Sequence, residues 1–444
     1  MRARLLAARL FLCCAAGLGA PAGAQDLMQV WRQALVSDPV YAAARAAYRA
    51  GLEQLPQARA GLLPAVSAEL GGSYESTRST RGFTAYDGGR GAWALVLTQP
   101  LFDWNRWQRY EQSQLRVADA ELQLQQSFQD LLLRVADAYF NVLAAEDTLA
   151  ATEAEKAAVS EQLAAARRNF ELGNATITDT HEAQARYDLV MAQELALQNA
   201  LEVRRDELAQ IIGQEPGALA ELPPGVDLPA PRPDRMEDWS IQAQSAGLDV
   251  LRAQLLTRIA ERDIQIARSG HYPSLSLRAS SGSATDARMR QGNTDPGRPV
   301  DTSVGVVLSI PLYSGGGVSS QVTEKVQLEQ QARHQYQATR RQAVQSARRY
   351  YTGVVSGLAR IGALEAGERS SREAVAANRI GYEVGVRINL DVLNAQQQLY
   401  ATQRDLAQAR YATLLDSLRL KAVSGTLSEA DLEAVNRLLR LPSR

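Results

Sequence analysis

One ten-residue pattern occurs twice in the chain, 212 positions apart. Phe170-Glu171-Leu172-Gly173-Asn174-Ala175-Thr176-Ile177-Thr178-Asp179 returns as Tyr382-Glu383-Val384-Gly385-Val386-Arg387-Ile388-Asn389-Leu390-Asp391, with the aromatic, Glu, aliphatic, Gly and final Asp aligned without a gap. The duplication continues upstream, where Ala58 to Pro64 matches Ala267 to Pro273, and Thr98-Gln99-Pro100-Leu101-Phe102 matches Ser309-Ile310-Pro311-Leu312-Tyr313. A fixed internal period declares architecture before any local reading is made. Each half is expected to be one structural unit used twice, over residues 25–212 and 238–425, with a Pro- and Gly-rich linker at 213–237 and a tail at 426–444.

The first 24 residues stand apart. Met1-Arg2-Ala3-Arg4, an apolar run over residues 5–18 and Ala22-Gly23-Ala24 read as a secretory signal cleaved before Gln25, so the mature chain is expected to be exported. Both cysteines, Cys13 and Cys14, lie in that leader, which leaves no thiol for a disulfide, a metal site or nucleophilic catalysis; Leu12 before Cys13 is too large for a lipidation signal. A net charge of −1 argues against nucleic acid as a partner. Beyond the leader no apolar run reaches the roughly 18 residues of a membrane helix. Any membrane span would have to be β.

Over residues 103–172, apolar or small residues fall at Leu124, Phe128, Leu131, Val135, Ala138, Val142, Ala145 and Leu149, then Val159, Leu163, Ala166 and Phe170. These spacings alternate four and three, the seam of a coiled coil. At 1.5 Å per residue such a helix is about 105 Å long. A second rod over 316–384 carries Ala343, Ala347, Tyr350, Val354, Gly357, Ile361 and Leu364 in the same register, weakened by Arg340 and Glu368. Both rods end at a glycine, Gly173 and Gly385, where a helix terminus favours positive φ. Return helices over 177–212 and 390–423, and opening helices over 27–59 and 238–268, are each about half a rod long. One opening helix stacked on a return helix would match the rod and build a tube wall.

Between opening helix and rod, alternating segments over 66–74 and 92–99 flank a polar loop at 75–91; the second copy has 274–280 and 302–310 about 281–301. Period-two alternation bounded by Gly and Pro predicts strands. The expected fold is thus mainly α with a small β part of four strands per chain. Four strands cannot close a barrel, and an open edge is not tolerated in lipid. Closure would need several chains. A short amphipathic segment over 431–439 suits packing across the rods.

The doubled tip motif resembles the TolC family of outer-membrane channel-tunnels over essentially the whole mature chain. The resemblance is carried by Tyr382 to Arg387, by Asp391-Val392-Leu393-Asn394-Ala395-Gln396, by Ser424 to Leu432, and by the paired strand ends at Pro100-Leu101-Phe102 and Pro311-Leu312-Tyr313. It implies a homotrimer with a 12-stranded barrel in the lipid of the cell outer membrane and a tapering helical tunnel in the periplasm. A periplasmic adaptor protein and an inner-membrane ABC-type or proton-driven transporter are the implied partners.

Position by position, the resemblance makes Asp391 a member of a charged ring at the pore constriction, three carboxylates per trimer that attract cations. Complementing the N-terminal dipole of its own helix is the plainer role for that residue. Asn394 departs from the pattern, since relatives often carry a second Asp there. Arg387, Tyr382, Asp179 and Thr178 match positions that tie neighbouring coils and hold the entrance shut; Arg387 with Asp179 would form the ionic link, with the Tyr382 hydroxyl on the same carboxylate. An exposed pair contributes only about 0–1 kcal/mol, so a few such links make a gate that a partner can open. Ordinary solvated turn charge is the alternative.

Other signals are weaker. Gly315-Gly316-Gly317 lacks the Lys-Ser or Lys-Thr of a phosphate loop, His181, His271 and His334 are scattered without acidic or Cys partners, and Asn174-Ala175-Thr176 fits a glycosylation sequon by chance. Arg340-Arg341 and Arg348-Arg349 suit either an adaptor contact or a solvated flank. No cofactor, metal or catalytic residue is expected. The reading that follows is a passive exit duct, with protein cargo in type I secretion placed first and drug or small-molecule efflux second. A periplasmic coiled-coil adaptor or structural rod is the alternative of another class; it would bring a lipoyl-like β domain in place of two matched hairpins.

Overall fold

The computed structural model describes residues 25–77, 86–173, 175–285 and 300–440. The leader expected over 1–24 lies outside them. In chain order the first copy contains α1 (Leu27–Ser37), α2 (Pro39–Leu52), α3 (Gln54–Ala60), β1 (Ala65–Thr77), β2 (Tyr86–Phe102), α4 (Trp104–Glu171) and α5 (Ile177–Ile212). The second contains α6 (Met236–Ala246), α7 (Leu248–Arg268), β3 (Ser274–Thr285), β4 (Asp301–Ser309), α8 (Gly317–Glu383) and α9 (Asn389–Val423), and α10 (Glu429–Asn436) follows. The rods α4 and α8 have 68 and 67 residues. Their buried positions are the heptad ones: Leu131, Val135, Ala138, Val142, Val159, Leu163 and Ala166 in α4, and Ala343, Ala347, Val354 and Ile361 in α8.

The opening helices are not continuous, which corrects the single helices expected over 27–59 and 238–268. Pro39 has no N–H to extend α1, and Asp38 instead caps α2, its Oδ1 accepting from the Tyr41 N–H at 2.6 Å. A second break at Glu53 precedes Pro56, whose ring would meet the carbonyl of residue 52 in a continuous helix. In the second copy Gly247 turns to φ −57°, ψ 129° and separates α6 from α7.

Each return helix ends on one of these breaks. The Ser37 hydroxyl donates to the carbonyl of Ile212, the last residue of α5, at 2.7 Å. At the end of α9, the Val423 carbonyl and Gly425 lie against the Ala246–Gly247 turn, so closely that a Cβ on Gly247 would sit 2.9 Å from the Val423 oxygen. The stacking expected from length is therefore present in refined form. Only α2 with α3, and α7, continue the line of a return helix, whereas α1 packs beside α4, α5 and α10, and α6 beside α8.

The side placement of α1 builds the main core. Leu27, Val30, Trp31 and Ala34 pack with Leu131, Val135, Tyr139 and Phe140 of α4, Leu208 and Ile212 of α5, Leu414 and Leu418 of α9, and Leu432 and Val435 of α10. Trp31 meets Phe128 edge to face at 5.3 Å. The linker contributes Leu219, Ala220 and Leu222 to this core. Its backbone pairs with Gln25 on one side and with Arg440 on the other, and the Tyr139 hydroxyl donates to the Ala220 carbonyl at 2.9 Å.

The four strands form one antiparallel sheet in the order β1-β2-β3-β4, longer than the sequence pattern predicts because β1 runs to Thr77, β2 begins at Tyr86 and β3 runs to Thr285. The register places Val66, Leu70, Trp93, Leu95, Leu97, Leu275, Leu277, Val304, Val306 and Leu308, with Ser281, Ser283 and Thr302, on one face, and Ser67, Glu69, Ala94, Thr98, Arg278, Ser280, Asp301, Ser303 and Gly305, with Val96 and Val307, on the other. Apolar outside and polar inside is the pattern of a strand between lipid and a watery lumen. The edges at β1 and β4 have no strand partner within the described residues.

Asp38, at the break between α1 and α2, offers a test of this junction. Burial alone would raise its carboxyl, but hydrogen bonds from Arg134 and from the Tyr41 and Val40 N–H groups outweigh that and hold it below its ordinary value of 3.8. A carboxyl depressed in the folded state contributes stability above the unfolded pKa, lost as pH falls through the folded one. Asp38→Asn should therefore flatten the acid side of the stability profile below about pH 4, measured by denaturant unfolding at stepped pH. Arg134→Met should cost about 1–2 kcal/mol near neutrality, less than a fully buried pair because the Arg134 side chain is 38% exposed.

Candidate functional site

The two helical hairpins end at Gly173 and Gly385, with φ of 74° and 76°. At the first tip α4 closes through the Gly173 N–H to the Phe170 carbonyl, and α5 starts with a capping box. The Thr176 N–H and hydroxyl both donate to one Asp179 oxygen, at 2.8 and 2.7 Å, and the Asp179 N–H returns to the Thr176 hydroxyl at 3.3 Å. The carboxylate of Asp179 is thereby committed to its own helix start. Thr178 is exposed beside it.

At the second tip the Val386 and Arg387 N–H groups both donate to the Gly381 carbonyl, at 2.8 and 3.0 Å, closing α8. The Arg387 guanidinium lies 3.6 Å from the Asp391 carboxylate, one turn into α9. Within one chain, then, Arg387 pairs with Asp391, and neither it nor Tyr382 bonds to the Asp179 carboxylate. The Tyr382 hydroxyl accepts instead from the Asn169 amide of α4 at 3.2 Å. Asn394 is exposed one turn beyond Asp391, on the same side of α9.

What brings the two tips together is a residue the sequence reading passed over. Asn389 is fully buried at the first turn of α9. Its oxygen accepts from the Gln162 amide of α4 at 2.5 Å, and its own amide donates to the Asp179 carbonyl of α5 at 3.1 Å. One side chain therefore joins three helices. One turn later Leu393 enters the apolar cluster of Val159, Leu163, Ala166 and Ala183 from the first hairpin. The aligned residue of the first copy is Ile177, so the signal was a polar residue in one copy against an apolar one in the other.

The join between hairpins continues up the α4–α9 seam. Arg404 meets Glu155 at 2.9 Å, the Tyr411 hydroxyl donates to Asp147 at 2.7 Å, and Arg419 meets Asp137 at 2.8 Å. Burial pushes the Asp147 carboxyl up, and the Tyr411 hydrogen bond opposes that shift. Tyr411 also stacks on Phe140 at 5.7 Å. Charged and polar rungs of this kind fix the relative height of two helices that apolar contacts alone would let slide.

Asn389→Ala would leave the Gln162 amide without its partner in a buried place and return the Asp179 carbonyl to its helical bond alone, at a cost of about 1–3 kcal/mol confined to the tips. Hydrogen exchange should show faster exchange around residues 162, 179 and 389, with α1 unchanged; uniform protection across both tips would contradict the role given to Asn389.

A family profile described as "Outer membrane efflux protein" matches residues 30–214 and 239–426. The chain is 33% identical over 434 residues to Outer membrane protein TolC of Escherichia coli K12, covering 96% of this chain and 87% of that one. It is 31% identical over 420 residues to the Alkaline protease secretion protein AprF of Pseudomonas aeruginosa, covering 93% and 87%. The solved structure of the outer membrane protein VceC of Vibrio cholerae superposes with a TM-score of 0.76 over 90% of this chain and 96% of that one, and at 21% identity it speaks to the fold alone. The chain belongs to the outer membrane efflux protein family, whose members are outer-membrane channels with long periplasmic helices and not enzymes.

Proposed function

We propose that three copies of this chain close a 12-stranded barrel and continue below it as a helical tunnel, forming the exit duct of a tripartite export system. The observation that carries this is the sheet: four strands with an apolar and a polar face and two open edges, set at the head of rods 68 and 67 residues long. The duct itself moves nothing uphill. An energised inner-membrane transporter of ABC or proton-driven type, joined through a periplasmic adaptor, would supply the work.

Protein cargo in type I secretion is the first reading of the substrate, and the likeness to a protease secretion protein supports it. Efflux of drugs or other small molecules is the second, supported by the family description. Removing the protein from its cell separates the two. Loss of particular proteins from the culture supernatant supports secretion, whereas an unchanged supernatant with lowered resistance to drugs and detergents supports efflux.

The tips are proposed as the gate. Three copies of Asp391, with Asn394 one turn on, would ring the constriction, and Asp391→Asn should lower the preference for cations in reconstituted trimers, read from the reversal potential in a salt gradient. Arg387, Tyr382, Asp179 and Thr178 would tie one coil to the next across the trimer. Each exposed link contributes up to about 1 kcal/mol, about fivefold in the open population. Arg387→Ala combined with Tyr382→Phe should raise single-channel conductance, and an unchanged conductance removes these residues from the gate.

A further inference from the structure

The two halves of the sheet are related by the repeat, and the relation is numerical. Pro64 and Pro273 mark the same point ahead of β1 and β3, 209 positions apart, while Pro100 and Pro311 mark the same point at the ends of β2 and β4, 211 positions apart. Applied to the β1–β2 pair Ala65↔Thr98, these offsets give Ser274↔Ser309, which is a pair of β3–β4. Every β3–β4 pair, down to Gly282↔Asp301, follows from β1–β2 in the same way. The repeat therefore transmits hydrogen-bond register as well as fold.

The same offsets act on the central pairing of β2 with β3. They carry β2 onto β4 and β3 back onto β1, yet the chain's own β1 stands at the far edge of the sheet. The image of the β2–β3 pairing must lie between β4 of one copy and β1 of another. On the trimer reading above, we infer that β4 pairs antiparallel with the next copy's β1 in one register: Ser309 opposite Glu69, Leu308 opposite Leu70, Val307 opposite Gly71, Val306 opposite Gly72, Gly305 opposite Ser73, and so on to Asp301 opposite Thr77.

Three features of the strands agree with this register and were not used to derive it. All nine residues of β4 find a partner within β1. The pleat agrees as well, since Leu308 and Val306 meet Leu70 and Gly72 on the lipid face and Ser309 and Gly305 meet Glu69 and Ser73 on the lumen face. A slip by one residue would set Leu308, Val306 and Val304 beside lumen positions. The third feature is glycine placement. A Cβ on Gly282 would come within 2.5 Å of the Trp93 oxygen and 3.0 Å of the Ala94 Cα, so the Ala94↔Gly282 row needs a glycine. Its image is Gly305 opposite Ser73, again one glycine and one small residue but on exchanged strands. The space where a Gly305 Cβ would stand is open in the single chain.

Disulfide trapping tests the register, because the only cysteines in the sequence, Cys13 and Cys14, lie in the expected leader. A disulfide needs Cα atoms within about 7 Å, which directly opposed residues satisfy and residues two positions out of register do not. Consecutive rows alternate between hydrogen-bonded and non-hydrogen-bonded pairs, so one of two neighbouring rows is favourable. Leu308→Cys with Leu70→Cys, or Val307→Cys with Gly71→Cys, should give covalent dimers and trimers on non-reducing gels after oxidation in outer-membrane fractions. Val306→Cys with Leu70→Cys, two positions displaced, should not, nor should any single variant. Efficient linkage of the displaced pair alone, or native trimers that neither in-register pair links, would overturn the register and leave the trimer standing. An unmodified protein that runs as a monomer after chemical cross-linking would overturn the trimer reading itself.

Discussion

Backbone hydrogen bonding in lipid is the constraint on which the rest of this molecule depends. A strand in the hydrocarbon region must have every N–H and C=O paired, since an unpaired group there costs several kcal/mol. Among the described residues the chain supplies four strands, and β1 and β4 have no strand beyond them. It therefore cannot be a finished object in a membrane as one copy. The geometry below the sheet is subordinate to that fact: four rows of helix must descend from four strands, evenly enough that copies set side by side continue both the barrel and the wall beneath it.

The chain meets this demand by making two rows from single rods and two from stacked pieces. α4 and α8 each run the full length, while α5 with α2 and α3, and α9 with α7, are assembled end to end. Stacked rows need a place for the chain to enter and leave, and the breaks at Pro39 and Gly247 provide it. The short helices displaced there, α1 and α6, thicken the wall at mid-height. The polar rungs between α4 and α9 then hold the two hairpins at a common height down to Asn389, where the join ends at the tip itself, between Arg387 and Asp391.

Much of this was legible in the sequence because rods and return helices write their ends in strong chemistry. Gly173, Gly385 and the heptad seam placed the rods and return helices within a residue of their observed ends, whereas β2 runs through Pro100 to Phe102. The opening helices were misread because their breaks are set by tertiary contacts. Gly247 is extended where its backbone packs against Val423, and nothing in the local pattern near residue 247 announces that partner. The tip residues were found but not their pairing within a chain. Asp179 turned to Thr176 and Arg387 to Asp391 because a partner three or four positions away is available without ordering a second hairpin. Asn389 was missed for the opposite reason, since a lone polar residue at a helix start looks like an ordinary cap until burial shows otherwise.

The small β-bridges around the linker have a consequence for how the protein comes to exist. Gln25 pairs with Leu219, and Glu221 pairs with Arg440, so adjacent positions of one strap hold contacts nearly the whole chain apart. Leu432, Val435 and Leu439 complete the same core as Leu27 and Trp31. The first turns of the exported chain thus have no finished surface to bury against until the last turns have arrived. Contacts of such sequence separation form slowly. A chain without its C-terminal helix would accordingly leave Leu27, Trp31 and their neighbours on α4 in an open apolar patch at mid-height.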